Sequence, residues 1–176
     1  MKTNIALICV LNNYSKNVSK MLSDKLDMFY ADMEDMIEYE LMDSKHILET
    51  LGDKEGKKYI KKIETDVVKN VGSFENTFIN INPMLLFSGR NLSQLQKTCF
   101  VIYAQISPKY FDVRTRHNGD IIPTDITDIT FGERDKKYVE KADVVVNCST
   151  LRESKAVKKI LSELNIFFKK YALNQK

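Results

Sequence analysis

Four charged side chains have the types and positions that chemistry on a small polar molecule would need. Lys16 lies near the start of an amphipathic segment, just after an apolar run at residues 5–11. A helix amino terminus attracts anions, and a lysine there adds positive charge. Asp32 and Glu34 are carboxylates that could hold a metal ion or hydroxyl groups, and Arg134 could bind a carboxylate through two hydrogen bonds. These four charged residues are of the types expected in an anion-binding site next to a binding site for a polar small molecule.

Each of these residues also has a purely structural interpretation. Lys16 either contacts an anion or lies solvated on its helix, and Asp32 precedes a helix, where an aspartate most often serves as the N-cap. Glu34 follows in an acidic first turn of the kind that the helix dipole favours. Arg134 either binds a substrate or forms a structural ion pair with a nearby acid. Both interpretations stay open for all four.

Five short apolar runs alternate with amphipathic segments, and this order predicts the fold. The run at residues 5–11 is continuously apolar, which is typical of a strand buried on both faces of a parallel sheet, and Ser15 is predicted to cap the helix after it. The other predicted strands are residues 28–31, 74–81, 99–104 and 143–148. The pattern predicts an α/β three-layer sandwich whose parallel sheet has five strands, with residues 5–11 at its centre.

The length of 176 residues predicts one domain, residues 1–176. Helices are predicted at residues 16–26, 33–41, 44–51, 55–71, 109–116, 133–141 and 151–171, with fraying from residue 169, and residues 85–96 are predicted to form a turn and a short helix. Residues 32–70 form an acidic helical insert in this scheme. The longest stretch without periodicity, about 117–131, is predicted to be a lid-like loop.

Composition limits the classes of partner. The net charge is +3, and the basic excess is spread along helices, which does not predict nucleic-acid binding but permits a small anionic ligand. No apolar run approaches the roughly 20 residues that span a bilayer, and no signal-peptide pattern stands at the start. Three separated cysteines and two isolated histidines predict buried thiols and no metal site. We expect a cytoplasmic protein, either a monomer or a homodimer.

The order of elements and four local strings resemble the shikimate kinase family, a P-loop branch related to nucleoside-monophosphate kinases. The strings are NVSKMLSDKL at 17–26, FYADMEDMIE at 29–38, CFVIY at 99–103 and ERDKKYVEKAD at 133–143. The last is the most specific, because it keeps the Arg, Tyr and AlaAsp pattern that stands before the last strand of the family. The resemblance covers nearly the whole chain and implies a P-loop kinase-like fold.

The resemblance implies roles for some residues and the loss of others. Glu34 falls where the family holds the hydroxyls of shikimate, Asp32 falls on an aspartate near the metal, and Arg134 matches the arginine that pairs with the substrate carboxylate. A second substrate arginine falls on Ile60 and is lost. The family's glycine triplet, which lets the backbone approach the substrate, falls on residues 80–83, and the resemblance implies that this approach is blocked here.

The lid arginine of the family stands immediately before a proline. Here that position is Ile122, before Pro123, so the nearest cations are Arg114 and Arg116 at the end of a predicted helix. These two arginines are the remaining candidates for contacts to a nucleotide from this side of the site.

The phosphate-binding loop departs most from the family pattern. Its motif needs glycines that let backbone N–H groups wrap a phosphate, followed by a lysine and a hydroxyl residue. In one alignment the lysine position is Ser15 and the hydroxyl position is Lys16. In the alternative alignment Lys16 takes the lysine position and Asn17 the hydroxyl position. Neither satisfies the motif, and the first glycine of the chain is Gly52.

Three functional hypotheses follow. The first is a shikimate-kinase-like pseudoenzyme with a degenerate Walker A motif, no cofactor and a retained small-anion or protein-binding role. The second is a diverged active kinase that uses ATP and Mg²⁺, with Lys16 and Asp32 catalytic, Glu34 and Arg134 on the substrate, and Ser15 and Lys16 on the nucleotide. The third is a structural protein that interacts through a helix face.

Overall fold

Five parallel strands form one sheet in the part of the chain that the computed structural model describes, residues 2–81, 83, 89–110 and 128–173. The strands are β1 (Asn4–Ile8), β2 (Phe29–Asp32), β3 (Thr77–Ile81), β4 (Cys99–Gln105) and β5 (Val144–Asn147). Their order is β2-β3-β1-β4-β5, and every neighbouring pair is parallel. The predicted parallel sheet with the first strand at its centre is therefore confirmed.

Helices cover both faces of the sheet. They are α1 (Asn12–Leu26), α2 (Met33–Asp43), α3 (Lys45–Leu48), α4 (Asp53–Val71), α5 (Gly89–Thr98), α6 (Asp128–Lys141) and α7 (Glu153–Leu173). Ile5 and Leu7 of β1 pack in one apolar cluster with α1 and α7, whereas Ala6 and Ile8 pack in a second cluster with α2, α4, α5 and α6. The alternation of side chains along one strand thus supplies two cores, as the predicted three-layer sandwich requires.

The junction of β1 and α1 differs from its prediction. The strand ends at Ile8 rather than residue 11, and the helix begins at Asn12, so Ser15 is not its N-cap. Leu11 is fully buried with extended backbone (φ −103°, ψ 104°), and its carbonyl accepts a hydrogen bond of 2.8 Å from the Ser15 N–H. The helix therefore starts four residues earlier than predicted, with the buried Leu11 at the N-cap position.

Other boundaries differ for local reasons. β3 begins at Thr77, because the preceding turn includes Asn76 in left-handed backbone (φ 50°). The predicted fraying from residue 169 is wrong, since α7 continues to Leu173 while Phe168 and Tyr171 pack against Phe100 at ring distances of 5.0 and 5.4 Å. α3 is four residues long rather than eight, and α5 lies slightly later than predicted.

The described residues include only the end of the predicted lid-like loop. Its last residues, 128–131, belong to α6, which starts earlier than predicted, and the rest lies outside the described residues. Residues 108–110 form a helical turn where a helix over 109–116 was expected; Arg114 and Arg116 lie outside the described residues. None of the described helices is long and apolar enough to cross a membrane.

Candidate functional site

The connection between β1 and α1 contains only three residues. Cys9 and Leu11 are fully buried, so two of the three side chains point into the core. Residues 12–14, which a phosphate-binding loop would hold in loop conformation, are already helical. The N–H of Ser15 donates to the Leu11 carbonyl at 2.8 Å, which commits one backbone donor to the helix. The chain therefore passes from strand to helix without an extended loop.

Asn80 connects the first helix to the end of the sheet. Its Oδ1 accepts hydrogen bonds from the Ser15 hydroxyl and, at 3.2 Å, from the Ser19 hydroxyl. Its Nδ2 donates to Asp32 Oδ2 at 2.9 Å. All four side chains are buried, so this polar group lies inside the protein and its members satisfy one another. The Ser15 hydroxyl is engaged here, and nucleotide contact by Ser15 stays a prediction.

Asp32 is the N-cap of α2, as one of its two interpretations predicted. Its Oδ1 accepts hydrogen bonds from the N–H groups of Glu34 at 2.9 Å and Asp35 at 3.4 Å. Its Oδ2 accepts from the Tyr30 hydroxyl at 3.0 Å as well as from Asn80. Burial, followed by the charge of Asp32 and this hydrogen bond, raises the pKa of Tyr30. Both carboxylate oxygens are thus occupied by groups of the protein.

Lys16 lies among three carboxylates. Its Nζ is 2.9 Å from Asp35 Oδ1, 3.2 Å from Glu34 Oε2 and 3.7 Å from Asp32 Oδ2. Burial lowers the pKa of Lys16, but the hydrogen bonds to Asp35 and Glu34 and the charges of Asp32 and Glu34 together raise it above its ordinary value. The ammonium group is therefore charged at neutral pH and already compensated by the protein's own acids.

Glu34 is held by the first turn of α1. Asn12 Nδ2 donates to Glu34 Oε2 at 2.5 Å, and Lys16 Nζ lies 3.2 Å from the same oxygen. Asn12 and Lys16 are four residues apart on α1, so their side chains share one helix face. One carboxylate of α2 thus bridges two polar side chains of α1.

A second polar cluster joins α6 to β4. Asp135 accepts a hydrogen bond of 2.7 Å from the Tyr103 hydroxyl, and Gln105 Nε2 donates to both of its oxygens at 3.1 and 2.9 Å. Burial, followed by the hydrogen bond to Asp135, raises the pKa of Tyr103. Arg134, the neighbouring residue, is buried with 9% of its surface exposed.

Tyr138 anchors the same helix. Its ring packs against Tyr103 at a centroid distance of 5.4 Å, and its hydroxyl donates to the carbonyl of Pro83 at 2.8 Å. Burial raises the pKa of Tyr138 to about 12, against a smaller lowering by the charge of Arg134. The segment with the most specific sequence pattern is therefore packed firmly on the central part of the sheet.

The structure brings together Ser15, Lys16, Asp32 and Glu34, whereas Arg134 lies on a separate helix packed on β4. In the described part of the chain, no group of three or more His, Cys, Asp or Glu side chains is arranged to hold a metal ion. The positive charge next to the acids is instead a lysine.

Two residues of the site were missed from the sequence. Asn80 is a polar residue near the end of a buried strand, and it stands in register with Asp32 on the neighbouring strand. Asp135 stands directly beside Arg134 in the sequence. A polar side chain near the carboxyl end of a parallel strand is the signal that could have found Asn80.

Comparison with known proteins identifies the family. The family model of shikimate kinase matches residues 16–165. The chain is 26% identical over 118 residues to a shikimate kinase of Dehalococcoides mccartyi, a match covering 66% of this chain and 65% of that protein. The shikimate kinase of a second strain is 25% identical, with 67% and 65% covered. The matched region spans slightly less than two-thirds of these relatives.

Solved structures agree in fold. Shikimate kinase from Aquifex aeolicus superposes with a TM-score of 0.69 at 21% identity, covering 92% of this chain and 96% of that one. Shikimate kinase from Acinetobacter baumannii, solved with shikimate, gives 0.70 at 18% identity and 92% of both chains. A gluconokinase from Sinorhizobium meliloti gives 0.61 at 10% identity and full coverage of both. The chain belongs to the shikimate kinase family and has its P-loop kinase-like fold.

Proposed function

We propose that this member of the shikimate kinase family is a pseudoenzyme that keeps the family fold but does not transfer the γ-phosphate of ATP. The observation that carries the proposal is the three-residue connection between β1 and α1. Phosphoryl transfer depends on backbone N–H groups wrapped around the phosphates, and this requires a loop with glycines. Residues 12–14 are wound into α1 instead, so the start of this helix does not fit a nucleotide triphosphate chain.

The charges beside α1 support the same proposal. Lys16, the nearest candidate for the phosphate lysine, is within 4 Å of Asp32, Glu34 and Asp35. Three carboxylates and one ammonium leave a net charge of about −2 around this lysine, which disfavours an approaching phosphate. Asp32 is the candidate ligand for magnesium. Its carboxylate oxygens already accept hydrogen bonds from the first turn of α2, from Tyr30 and from Asn80. The residues present therefore do not fit ATP with Mg²⁺.

A diverged active kinase is the alternative, and the segment around Arg134 favours it. This segment keeps the family pattern and is packed firmly on β4, and the relatives are named shikimate kinases. In this alternative Arg134 and Glu34 bind shikimate or a similar hydroxy acid, Lys16 and Asp32 act on ATP and Mg²⁺, and Ser15 contributes to the nucleotide site. Arg114 and Arg116 would add contacts from outside the described residues.

Phosphate transfer separates the two functions. The full chain is incubated with ATP, Mg²⁺ and shikimate or other hydroxy acids, and phosphorylated product is measured by mass spectrometry beside the shikimate kinase of Dehalococcoides mccartyi. Each missing transition-state contact costs about 10²–10³ in rate, so we expect product formation at least about 10⁴-fold below the relative. Turnover near that of the relative, abolished by Lys16→Ala, would establish the alternative.

If the pseudoenzyme proposal holds, the remaining role is the binding of a small anionic molecule or of another protein. Light scattering at micromolar concentration discriminates a monomer from a homodimer, and a persistent dimer would favour an interaction surface over a small-molecule site. A cytoplasmic location remains a proposal alongside this role.

A further inference from the structure

The first turns of α1 and α2 meet through opposite charges and a bridging amide. α1 contributes Asn12 and Lys16, whereas α2 contributes Glu34 and Asp35. The contact joins residues that are about 20 positions apart in sequence, so it depends on the packing of the two helices beside the sheet. This contact between side chains of two helices is a different feature from the short β1–α1 connection, which concerns the backbone of one segment.

Glu34 takes the central place in this contact. Its Oε2 accepts a hydrogen bond of 2.5 Å from Asn12 Nδ2 and lies 3.2 Å from Lys16 Nζ. Only 29% of the Glu34 side chain and 25% of the Lys16 side chain are exposed, so the pair is shielded more than a surface ion pair. Asp35 reaches the same ammonium at 2.9 Å from the solvent side, with 64% of its side chain exposed.

An anion that approached Lys16 would meet these acids first. To contact the ammonium it must displace Glu34 or Asp35 and approach the buried charge of Asp32, 3.7 Å away. Both costs are electrostatic and grow with the charge of the incoming anion. The cost is therefore greatest for oxyanions that carry several charges.

We propose that Glu34 and Asp35 form an autoinhibitory contact: they are tethered anions that hold Lys16 and exclude multiply charged oxyanions from the first turn of α1. Removal of these acids should let a small oxyanion reach Lys16, although residues 12–14 stay helical and still do not fit a triphosphate chain. This inference rests on the proposed function and deepens it, because it names the side chains that keep phosphate groups away.

The double variant Glu34→Gln with Asp35→Asn tests the inference. Glutamine keeps an oxygen that can accept the Asn12 hydrogen bond, and Asp32 keeps the α2 cap, so circular dichroism is expected to match the wild type. Isothermal titration with inorganic pyrophosphate at low salt measures the gain. Removing two negative charges beside the ammonium is expected to tighten pyrophosphate binding by about tenfold or more over the wild type. If the double variant fails to fold, Glu34→Gln alone is titrated and a smaller gain in the same direction is expected.

Two matched variants make the result specific. Glu38→Gln with Asp43→Asn removes the same charge from exposed positions of the same helix, and it should leave pyrophosphate binding near that of the wild type. Adding Lys16→Gln to the first double variant should abolish the gain. No gain in a folded variant, an equal gain in the Glu38 and Asp43 variant, or a gain that survives loss of Lys16 would each overturn the inference.

The inference and the proposed function fail on different measurements. Product formation by the wild type would refute the pseudoenzyme, whatever the variants do with pyrophosphate. An unchanged pyrophosphate affinity in the variants would refute the autoinhibitory contact, and the wild type would still be a pseudoenzyme if it forms no product.

Discussion

Two polar regions of this protein pack against the same sheet and differ in the charged groups that build them. Around α6, the block from Arg134 to Tyr138 is anchored on β4 through the Asp135 hydrogen bonds and the ring contact of Tyr138 with Tyr103. Around the starts of α1 and α2, residues 12–14 are helical, and Lys16 lies within hydrogen-bonding distance of the carboxylates of Glu34 and Asp35. We call the α6 block the retained region and the starts of α1 and α2 the rewritten region, because under the proposed function the first keeps the family pattern and the second has lost the phosphate site.

A buried or half-buried carboxylate organises each region, but in different ways. Asp32 accepts hydrogen bonds from two backbone N–H groups, a tyrosine hydroxyl and an asparagine amide, all within or beside the rewritten region. Asp135 accepts hydrogen bonds from a tyrosine hydroxyl and a glutamine amide of β4. The rewritten region is thus a dense polar network. The comparison implies that the rewritten region is structurally well determined, and substitutions can test this.

The largest effect is expected from Asp32→Ala. The change removes the α2 cap and leaves the Asn80 amide and Tyr30 hydroxyl without an acceptor, so it should cost about 3–5 kcal/mol of the free energy of unfolding. Urea denaturation measures this, with Glu38→Ala as the control on the same helix, expected within about 0.5 kcal/mol because Glu38 is exposed. A loss below about 1 kcal/mol for Asp32→Ala would show that the rewritten region is loosely held.

A smaller effect is expected from Asp135→Ala in the retained region. Loss of this carboxylate leaves the Tyr103 hydroxyl and the Gln105 amide short of an acceptor, which should cost about 2 kcal/mol by the same measurement. Lys136→Ala, an exposed neighbour on α6, is the matched control and should be close to neutral. If Asp135→Ala lowered the free energy of unfolding more than Asp32→Ala, the retained region rather than the rewritten region would depend more on its carboxylate.

A pH titration of Tyr138 gives a smaller effect still. Its pKa is raised to about 12 in the folded protein, above the ordinary value of 10.0, so its contribution to stability is complete below pH 10 and is lost as pH rises toward 12. Between about pH 9 and about pH 11 the wild type should lose about 1 kcal/mol more than Tyr138→Phe. Parallel loss in both proteins would mean that burial does not perturb this hydroxyl.

Local patterns were sufficient to predict much of the fold. The continuous apolar run that became β1, and the alternation of strands with helices, predicted a parallel sheet with the correct central strand. Asp32 was predicted as a helix cap because capping depends on neighbours in sequence. Ser15 was wrongly predicted as a cap by the same local logic, since the helix starts at Asn12 and the buried, apolar Leu11 occupies the N-cap position.

The site depended on contacts that local patterns do not contain. Asn80 becomes the partner of Asp32 only when β2 and β3 pair in register, 48 residues apart in sequence. Lys16 could be seen near a helix start, but the three acids around it come from the end of β2 and the first turn of α2. Tertiary packing, rather than residue type, decided whether this lysine faces a ligand or the protein itself.

The most direct test of the central claim is a thermal unfolding experiment with ATP and Mg²⁺. Because a ligand that binds only the folded state raises its stability, millimolar nucleotide would shift the midpoint of a binding protein by several degrees. We expect no shift for this chain, and a clear shift for the shikimate kinase of Dehalococcoides mccartyi measured beside it. A shift of several degrees in this chain would contradict the claim that the start of α1 no longer accepts the phosphates of a nucleotide.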